Sequence, residues 1–503
     1  MFAYFTKKKA LATLLAMLLV LSSMLVSCGE KKIEDPAELF EYAEMKAVDS
    51  AVETFADAYD KYLDNAKNTK GTGGVVSMDI DLSEEALGMI GLAVNMDLSW
   101  LSNIGLEGKA YSDKDSTSSN ISLLLGDSRI ADIQMLVENS TSSVYFAVPE
   151  ALTKTLKISG DALSQPLNGF NFEDMPSGDT LASLVKRYVE IFVTGIENVE
   201  KSEGTLTANG VSESCTVVKA TLTSADAANI MKKMIETAKT DTDLKDLIVK
   251  IGDFAVQIPN SGVESGDALY TSLMEELELK LTDLEEYDFE SEGDSEPIII
   301  TDYINSKNEI IGRAVSNETG AFVSYGKAVS DGKFGFEVKV EEKTVILGSG
   351  TTGKTTSGTF VIGDGTDDYA EITVKDLDEK LTKGTVDIKL LDGFEFDGDE
   401  MISALLKVYS LRVSFETSDD KMNFKLSVMN GENEFASFSA SGETKKVDKL
   451  DIATDDVMII DEDLDASALL GILDLSALME NLKNSPVPSE LVSMLELYLA
   501  MAG

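Results

Sequence analysis

Two cysteines and a complete lack of histidine limit the chemistry available to this chain of 503 residues. The two thiols belong to Cys28 and Cys215. Cysteine and serine nucleophiles usually depend on an imidazole as general base, and many metal sites use histidine as a ligand. The sequence therefore predicts that the protein is not an enzyme, and that it binds no metal or other cofactor.

Cys28 lies at the end of a segment with the order of a secretory signal. Three lysines, residues 7–9, precede an apolar run from Ala10 to Val26, and Leu25-Val26-Ser27-Cys28-Gly29 follows. A basic start, a short apolar core and small residues before a cleavage point are typical of exported proteins. The alternative is an uncleaved signal or a transmembrane anchor, but the run is short for a spanning helix, which needs about 20 apolar residues.

The residues around Cys28 resemble the lipobox of bacterial lipoproteins. The resemblance implies that residues 1–27 are a signal peptide and that the Cys28 thiol receives a diacylglyceryl group. The mature chain would then begin at Cys28, with acyl chains such as palmitate holding it to the outer face of the bacterial cell membrane. Residues 28–35 would form a short tether, which reaches at most about 25 Å when fully extended. We expect an extracytoplasmic protein whose partner is the lipid bilayer.

The second cysteine, Cys215, has no disulfide partner within the chain if Cys28 is lipidated. It lies in the alternating stretch from Val211 to Leu222, which predicts a strand. We expect a small buried hydrophobic side chain here and not a nucleophile.

The segment Gly348-Ser-Gly-Thr-Thr-Gly-Lys-Thr355 matches the P-loop pattern in full. In a P-loop, backbone amides surround phosphates, the lysine contacts the β and γ oxygens, and the last residue binds magnesium. The pattern requires a helix after the glycine-rich turn, because the helix N-terminus binds the phosphate. Here Thr356–Ile362 is rich in β-forming residues. The segment therefore predicts a hairpin loop and not a nucleotide site.

Two shorter patterns also lack the residues that their chemistry requires. Ser183 and Lys186 form an S-x-x-K pair, but no K-T-G strand accompanies them. Asp461–Asp465 offers oxygens to calcium, but Ala466 replaces the required glycine and Ile472 replaces the bidentate glutamate. Acidic residues before a helix N-terminus explain this segment more simply.

The net charge is strongly negative. The chain has 43 lysines and arginines and 89 acids, and the segment before Cys28 has three lysines and no acid. From Cys28 onward the balance is 40 minus 89, or −49. Such a surface repels nucleic acid and anionic lipid headgroups. The hydrophobic fraction of 43% is normal for a globular protein.

Helical and strand periods alternate along the mature chain. Asp35-Pro36 is a typical helix start, and we expect a helix to about Ala66 with one apolar stripe and an opposite acidic face that includes Glu44, Asp49 and Asp60. Further helices are predicted over 179–199, 224–238, 241–251, around 273–284, 465–483 and 489–502. Period-two alternation predicts strands, clearest at 76–82, 119–125, 143–148, 334–340, 411–415 and 422–428, with tight turns at Asn209-Gly210, Asp331-Gly332 and Asn430-Gly431.

This pattern predicts an α+β fold. Its large curved antiparallel β-sheet would be a half-barrel-like meander packed around several α-helices. The acidic stretch from Glu285 to Glu296 indicates a boundary between a lobe at 36–290 and a lobe at 291–503. The alternative is a charged loop within one continuous domain.

Several features together resemble those of large surface lipoproteins of Gram-positive-type anaerobes. They are the lipobox, the first helix, the alternating strands, and the segments Val144–Leu152 and Cys215–Thr223. That resemblance implies no function. The architecture is also distantly similar to the Lol-type and mycobacterial lipid-carrier lipoproteins, whose half-open barrel holds acyl chains. The carriers are much shorter, and no binding residue can be transferred from them.

Two classes of function remain. We expect a non-catalytic lipoprotein that binds an apolar or lipid ligand in its curved sheet; the alternative is a structural or protein-interaction lipoprotein with a filled core. The last two helices have more apolar surface than one packing stripe requires, so part of it should line a ligand cavity or a packed interior. The candidate ligand-binding residues there are Leu473, Leu495 and Tyr498.

Overall fold

The computed structural model describes residues 33–67, 72–113, 115–138, 141, 143–158, 175–256, 262–286, 296–395, 400–454, 456–460 and 471–502. The predicted signal peptide, Cys28 and residues 29–32 of the tether lie outside these ranges. So do the acidic segment Asp461–Asp465 and the predicted lobe boundary at residue 290. Predictions about those residues remain predictions.

The described residues form an α+β fold of nine helices and twenty strands. The helices are Pro36–Lys67 (α1), Glu84–Val94 (α2), Gly178–Thr194 (α3), Ser224–Thr240 (α4), Thr242–Val256 (α5), Gly266–Glu286 (α6), Glu400–Val408 (α7), Ser476–Lys483 (α8) and Ser489–Ala502 (α9).

The strands are Thr72–Leu82 (β1), Asn103–Ser112 (β2), Ser116–Leu125 (β3), Ser128–Glu138 (β4), Ser143–Ala147 (β5), Thr155–Ile158 (β6), Asn198–Ala208 (β7), Val211–Leu222 (β8), Ile298–Ile304 (β9), Ile310–Asn317 (β10), Gly320–Ser330 (β11), Lys333–Val340 (β12), Lys343–Thr351 (β13), Thr355–Gly363 (β14), Asp368–Asp378 (β15), Lys383–Leu390 (β16), Tyr409–Thr417 (β17), Lys421–Asn430 (β18), Asn433–Thr444 (β19) and Val457–Ile460 (β20). The α+β class and the large, mostly antiparallel sheet predicted from the sequence are confirmed.

Two compact units make up the described chain, and their residue ranges are interleaved. Unit 1 comprises the described residues within Met1–Lys67, Gly169–Thr373 and Leu391–Phe394. Unit 2 comprises those within Asn68–Asn168, Val374–Leu390 and Glu395–Gly503.

In unit 1, strands β7 to β14 form an antiparallel meander in which each strand pairs with the next one along the chain. The paired positions place one row of side chains across a single face, because side chains on a strand alternate between faces. This row consists of Val218, Asp302, Arg313, Tyr325, Val338 and Ile346.

The main core of unit 1 lies between this face and the helices. Phe40 of α1, Val218 of β8 and Ile304 of β9 are almost completely buried in it, as is Ile33, which precedes α1. The helix begins as predicted, because a carboxylate oxygen of Asp35 accepts hydrogen bonds from the first free backbone amides.

The apolar stripe of α1 is only partly correct as predicted from the spacing of Met45, Val48, Val52, Phe55, Tyr59 and Tyr62. Val52 is buried against Ala182 of α3, but Phe55 is 55% exposed and stacks on Tyr59. Leu39, Phe40, Ala43, Ala56 and Leu63 are buried instead. A stripe chosen by apolar residue type misses small residues such as alanine, and these allow α3 to approach α1 closely.

The tip of the β7–β8 hairpin folds across the other face of the unit 1 sheet. Leu206 contacts the positions of Gly312 and Gly326, where an added Cβ would lie within 3.1 Å of its methyl groups. At Gly335 an added Cβ would lie 1.9 Å from the carbonyl oxygen of Ala208. Glycine at these positions permits this close approach, and the sheet curves around Leu206 as a result.

The segment that matches the P-loop is a β-hairpin in unit 1. Its first glycines belong to β13, and strand β14 begins at Thr355 where a P-loop helix would begin. Gly348 leaves room for the ring of Phe360, and Gly350 leaves room for the ring of Phe334. The hairpin prediction is confirmed, and these glycines have a packing role.

In unit 2 the strands pair in the order β16, β17, β18, β19, β1, β2, β3, β4, β5, β6, β20. The pairings are antiparallel except between β6 and β20. Helix α2 joins β1 to β2, and α7 joins β16 to β17.

Two predicted helices have different bounds in the structure. Helix α3 ends at Thr194, because Gly195 follows and β7 begins at Asn198. Within the described part of the helix predicted over 465–483, α8 begins at Ser476, since Leu473 forms a bridge to Leu152 instead of a helical turn. By contrast, α9 has the predicted bounds.

Candidate functional site

One face of the unit 2 sheet displays apolar side chains at its centre. On β1, Val76, Met78 and Ile80 point to this face because they occupy alternate positions. In the observed register Met78 lies opposite Leu106 of β2 and opposite Ala440 of β19. The apolar positions of neighbouring strands therefore coincide across the sheet.

The same register extends this surface over seven adjacent strands, from β17 to β4. We call it the apolar sheet face, and its large exposed members are Val76, Met78, Ile80, Leu106, Ile121, Ile133, Met135, Leu411 and Met422. Each of these side chains is between 37% and 51% exposed. Strands lie about 4.8 Å apart, so the surface is about 29 Å wide.

The opposite face of this sheet is polar and partly covered. Ser118 of β3 is fully buried and accepts a hydrogen bond from the backbone amide of Leu450. Ile452 packs on this side against Leu136 and Tyr145. In an antiparallel sheet with one wet face, the apolar face is usually the covered one. The arrangement here is the reverse over the central strands.

A cavity of about 400 Å³ lies on the polar side of unit 2. Its lysines are Lys375, Lys383 and Lys425. Each forms an ion pair, with Asp387 at 3.1 Å, Glu416 at 3.1 Å and Glu434 at 2.9 Å respectively. These pairs neutralise the lysines, so the cavity is not a strongly basic anion site.

A buried ionic cluster in unit 1 joins α1 to the sheet. Arg313 binds Asp302 through two hydrogen bonds, Nε to Oδ1 at 2.6 Å and Nη2 to Oδ2 at 3.1 Å, and also binds Glu44. Burial raises the pKa of Asp302 to about 6, although Arg313 opposes this change. The pKa of Arg313 stays far above neutral pH because two carboxylates surround it.

The buried cluster has no group suited to general base catalysis at a substrate. Both carboxylates are engaged by Arg313, and burial raises the pKa of the neighbouring Tyr325 to about 12. The role of the cluster is structural, because it holds α1 against the sheet. The sequence predicts that Glu44 lies on an acidic face of α1 opposite the apolar stripe. The structure instead buries Glu44 to 12% exposure against Arg313 of β10, a partner remote in the sequence.

Two other acids of that predicted face are also engaged. Asp60 accepts a hydrogen bond from the backbone amide of Gly178 at 2.6 Å. Asp49 pairs with Lys186 of α3 at 2.7 Å. This ion pair means that Lys186 is not held as a base for Ser183.

The buried thiol of Cys215 agrees with the sequence prediction. Cys215 is 5% exposed on β8 and packs with Leu206 and Ala328. Burial raises its pKa, so the thiolate required of a nucleophile is disfavoured.

The candidate residues near the C-terminus lie at the surface of unit 2. Leu473 is 45% exposed, while Leu495 and Tyr498 of α9 are 40% and 67% exposed. They do not belong to the apolar sheet face and do not form a packed interior. Their role as ligand contacts remains a prediction.

Among the described residues there is no cluster of three or more acids and cysteines placed to hold a metal ion. Nor does any described helix combine the length and apolar character needed to cross a bilayer.

No protein-family model matches this sequence, and no curated protein is significantly similar to it. A functional hypothesis for this chain must therefore rest on its own residues and their geometry.

Proposed function

We propose that the protein is a membrane-anchored extracytoplasmic lipoprotein, without catalytic activity, that binds an apolar or lipid ligand on the apolar sheet face of unit 2. The supporting observation is the row of half-exposed Val, Met, Ile and Leu side chains across seven strands. A contiguous exposed apolar surface that extends over several strands is typical of a binding site.

The dimensions and chemistry of this surface suit an acyl chain. Its width of about 29 Å is enough for an extended acyl chain, since the hydrocarbon core of a bilayer, about 30 Å thick, holds two such chains end to end. Met78, Met135 and Met422 contribute flexible side chains that adapt to ligands of different shape. Each methylene removed from water at this face contributes about 0.8 kcal/mol.

The proposed anchor rests on the lipobox at Cys28. Two acyl chains at this residue would hold the protein durably, whereas one chain binds a membrane only reversibly. The rival function is a structural or protein-interaction lipoprotein, in which another protein covers the same apolar face.

Lipid binding is tested on the mature chain with Cys28→Ser, which keeps the fold but has no anchor. We expect native mass spectrometry to detect co-purified lipid, and a fluorescent fatty acid to bind saturably. The double variant Met78→Gln/Leu106→Gln changes two side chains that face each other across β1 and β2. It should weaken fatty-acid binding at least tenfold.

The matched control is Glu107→Gln, which places the same new side chain on β2 but on the opposite face. It should leave fatty-acid binding unchanged. Absence of any bound lipid, together with no fatty-acid binding by a folded chain, would contradict the lipid hypothesis and favour the protein-interaction one.

A further inference from the structure

A groove of about 790 Å³ follows helix α2 in unit 2, and its lining includes none of the residues named for the apolar sheet face. Its apolar walls are Leu87, Leu92, Met96 and Leu98. The helix beside it is well defined at both ends. Ser83 accepts a hydrogen bond from the amide of Ala86, and Asn95 ends the helix in the left-handed conformation.

Beyond its first turn, which contains Glu84 and Glu85, the outward side of α2 is as apolar as its inward side. Ala86 and Leu87 are buried against unit 2, but Leu92 is 86% exposed, and Met89 and Ile90 are also exposed. A helix that is apolar on all sides is normally buried on all sides. The exposed side of α2 therefore has the character of a binding surface.

The floor of the groove permits close approach of another backbone. A Cβ at Gly88 would meet no atom within 4 Å. Gly91 differs, because its Cβ would lie 2.6 Å from the carbonyl oxygen of Met96, so Gly91 is required by the fold itself. Glycine at a helix surface lets a second helix pack closely, and Gly88 supplies such a position.

The groove is built from a part of the sequence that has acidic residues and no basic ones. The chain has no lysine or arginine from Gly71 to Gly108. The acids in this stretch are Asp79, Asp81, Glu84, Glu85, Asp97 and Glu107. Glu84 and Asp97 line the groove itself. An apolar groove with acidic walls complements a segment that is both apolar and basic.

We propose that the α2 groove binds a basic amphipathic helix of a partner protein. The apolar side of that helix lies on Gly88 and Leu92, and its lysines or arginines face Glu84 and Asp97. This inference concerns a different surface from the lipid-binding face and does not depend on it. Anionic membrane surface is disfavoured as the occupant because like charges repel.

Trp100 offers a direct readout, because it is the only tryptophan of the chain and lies between two groove residues, Ser99 and Ser102. The probe is a synthetic amphipathic helix of leucine and lysine of about 18 residues, or five turns. We expect a saturable change in Trp100 emission that weakens as salt is added. A peptide with glutamate in place of lysine should give no change.

Variants at the groove floor locate the site. Gly88→Leu fills the groove and should weaken binding of the leucine–lysine peptide roughly tenfold or more, a factor that corresponds to about 1.4 kcal/mol. Gly88→Ala adds a single methyl group at the same position and fits the helix, so it should weaken binding by a smaller factor than Gly88→Leu does. Glu84→Gln should reduce both the affinity and its salt dependence. Circular dichroism and thermal melting check that all variants are folded.

Several results would overturn the proposal. Equal peptide binding by folded Gly88→Leu would place the site elsewhere, and equal binding of the glutamate peptide would refute the charge argument. A change in Trp100 emission with zwitterionic vesicles, but with neither peptide, would identify a membrane-contact surface instead. The lipid-binding variant Met78→Gln/Leu106→Gln should retain peptide binding, so the two proposals fail independently.

Discussion

Removal of Arg313 should destabilise unit 1 far more than removal of Arg412 destabilises unit 2. The two arginines bind their carboxylates with nearly the same geometry, since the Nε–Oδ1 distance is 2.6 Å in both the Arg313–Asp302 and the Arg412–Asp387 pairs. They differ in burial. Arg313 and Asp302 are 18% and 0% exposed, whereas Arg412 and Asp387 are 36% and 18% exposed.

The expected magnitudes follow from that difference. Arg313→Met leaves Asp302 and Glu44 close together without a cation, and the loss of one partner of a buried pair costs about 3 to 5 kcal/mol. Arg412→Met leaves Asp387 with Lys375 at 3.1 Å and should cost about 1 kcal/mol or less.

The pH dependence gives a second signature. The pKa of Asp302 is already raised from 3.8 to about 6 by burial. Between these values the folded state binds more protons than the unfolded state, so this group lowers stability as the pH rises through this range. Without Arg313 the carboxyl pKa should rise further. Arg313→Met should therefore regain stability when the pH falls from 7 to 5.

Hydrogen exchange in increasing urea, followed by mass spectrometry, separates the two units. Peptides from β9 to β11 report on Arg313→Met, and peptides from β16 to β18 report on Arg412→Met. Equal small losses in both variants, or a loss in Arg313→Met that does not change with pH, would refute the reasoning.

Three further outcomes are expected. Cys28→Ser should release the protein from the membrane fraction or leave an uncleaved precursor without acyl mass, as fractionation and mass spectrometry would show. Lys354→Ala should not change thermal stability, and magnesium-ATP should not shift the wild-type melting temperature, whereas a ligand at 100 times its dissociation constant would stabilise by about 2.7 kcal/mol. Gly350→Val should destabilise by about 1 to 3 kcal/mol in urea melts, because its Cβ meets β14 and the Phe334 ring, while Gly353→Ala, which meets nothing within 4 Å, should be neutral.

Local chemistry in the sequence was sufficient to predict many elements. Period-two alternation located β1, β12 and β18, and Asn209-Gly210 formed the turn it predicted, since both residues adopt positive φ. Thr356–Ile362 correctly indicated a strand in place of a P-loop helix. These features depend on residues near one another in the chain, so the sequence by itself determines them.

Tertiary structure alone decided which surfaces are covered and which charges are paired. Alternation along β1 and β3 defines two faces of the sheet. It does not indicate that Met78 on one face stays exposed while the polar Ser118 on the opposite face is buried. The partners Glu44, Asp302 and Arg313 are brought together only by the packing of α1 on the meander. Such contacts join residues remote in sequence, and no local pattern specifies them.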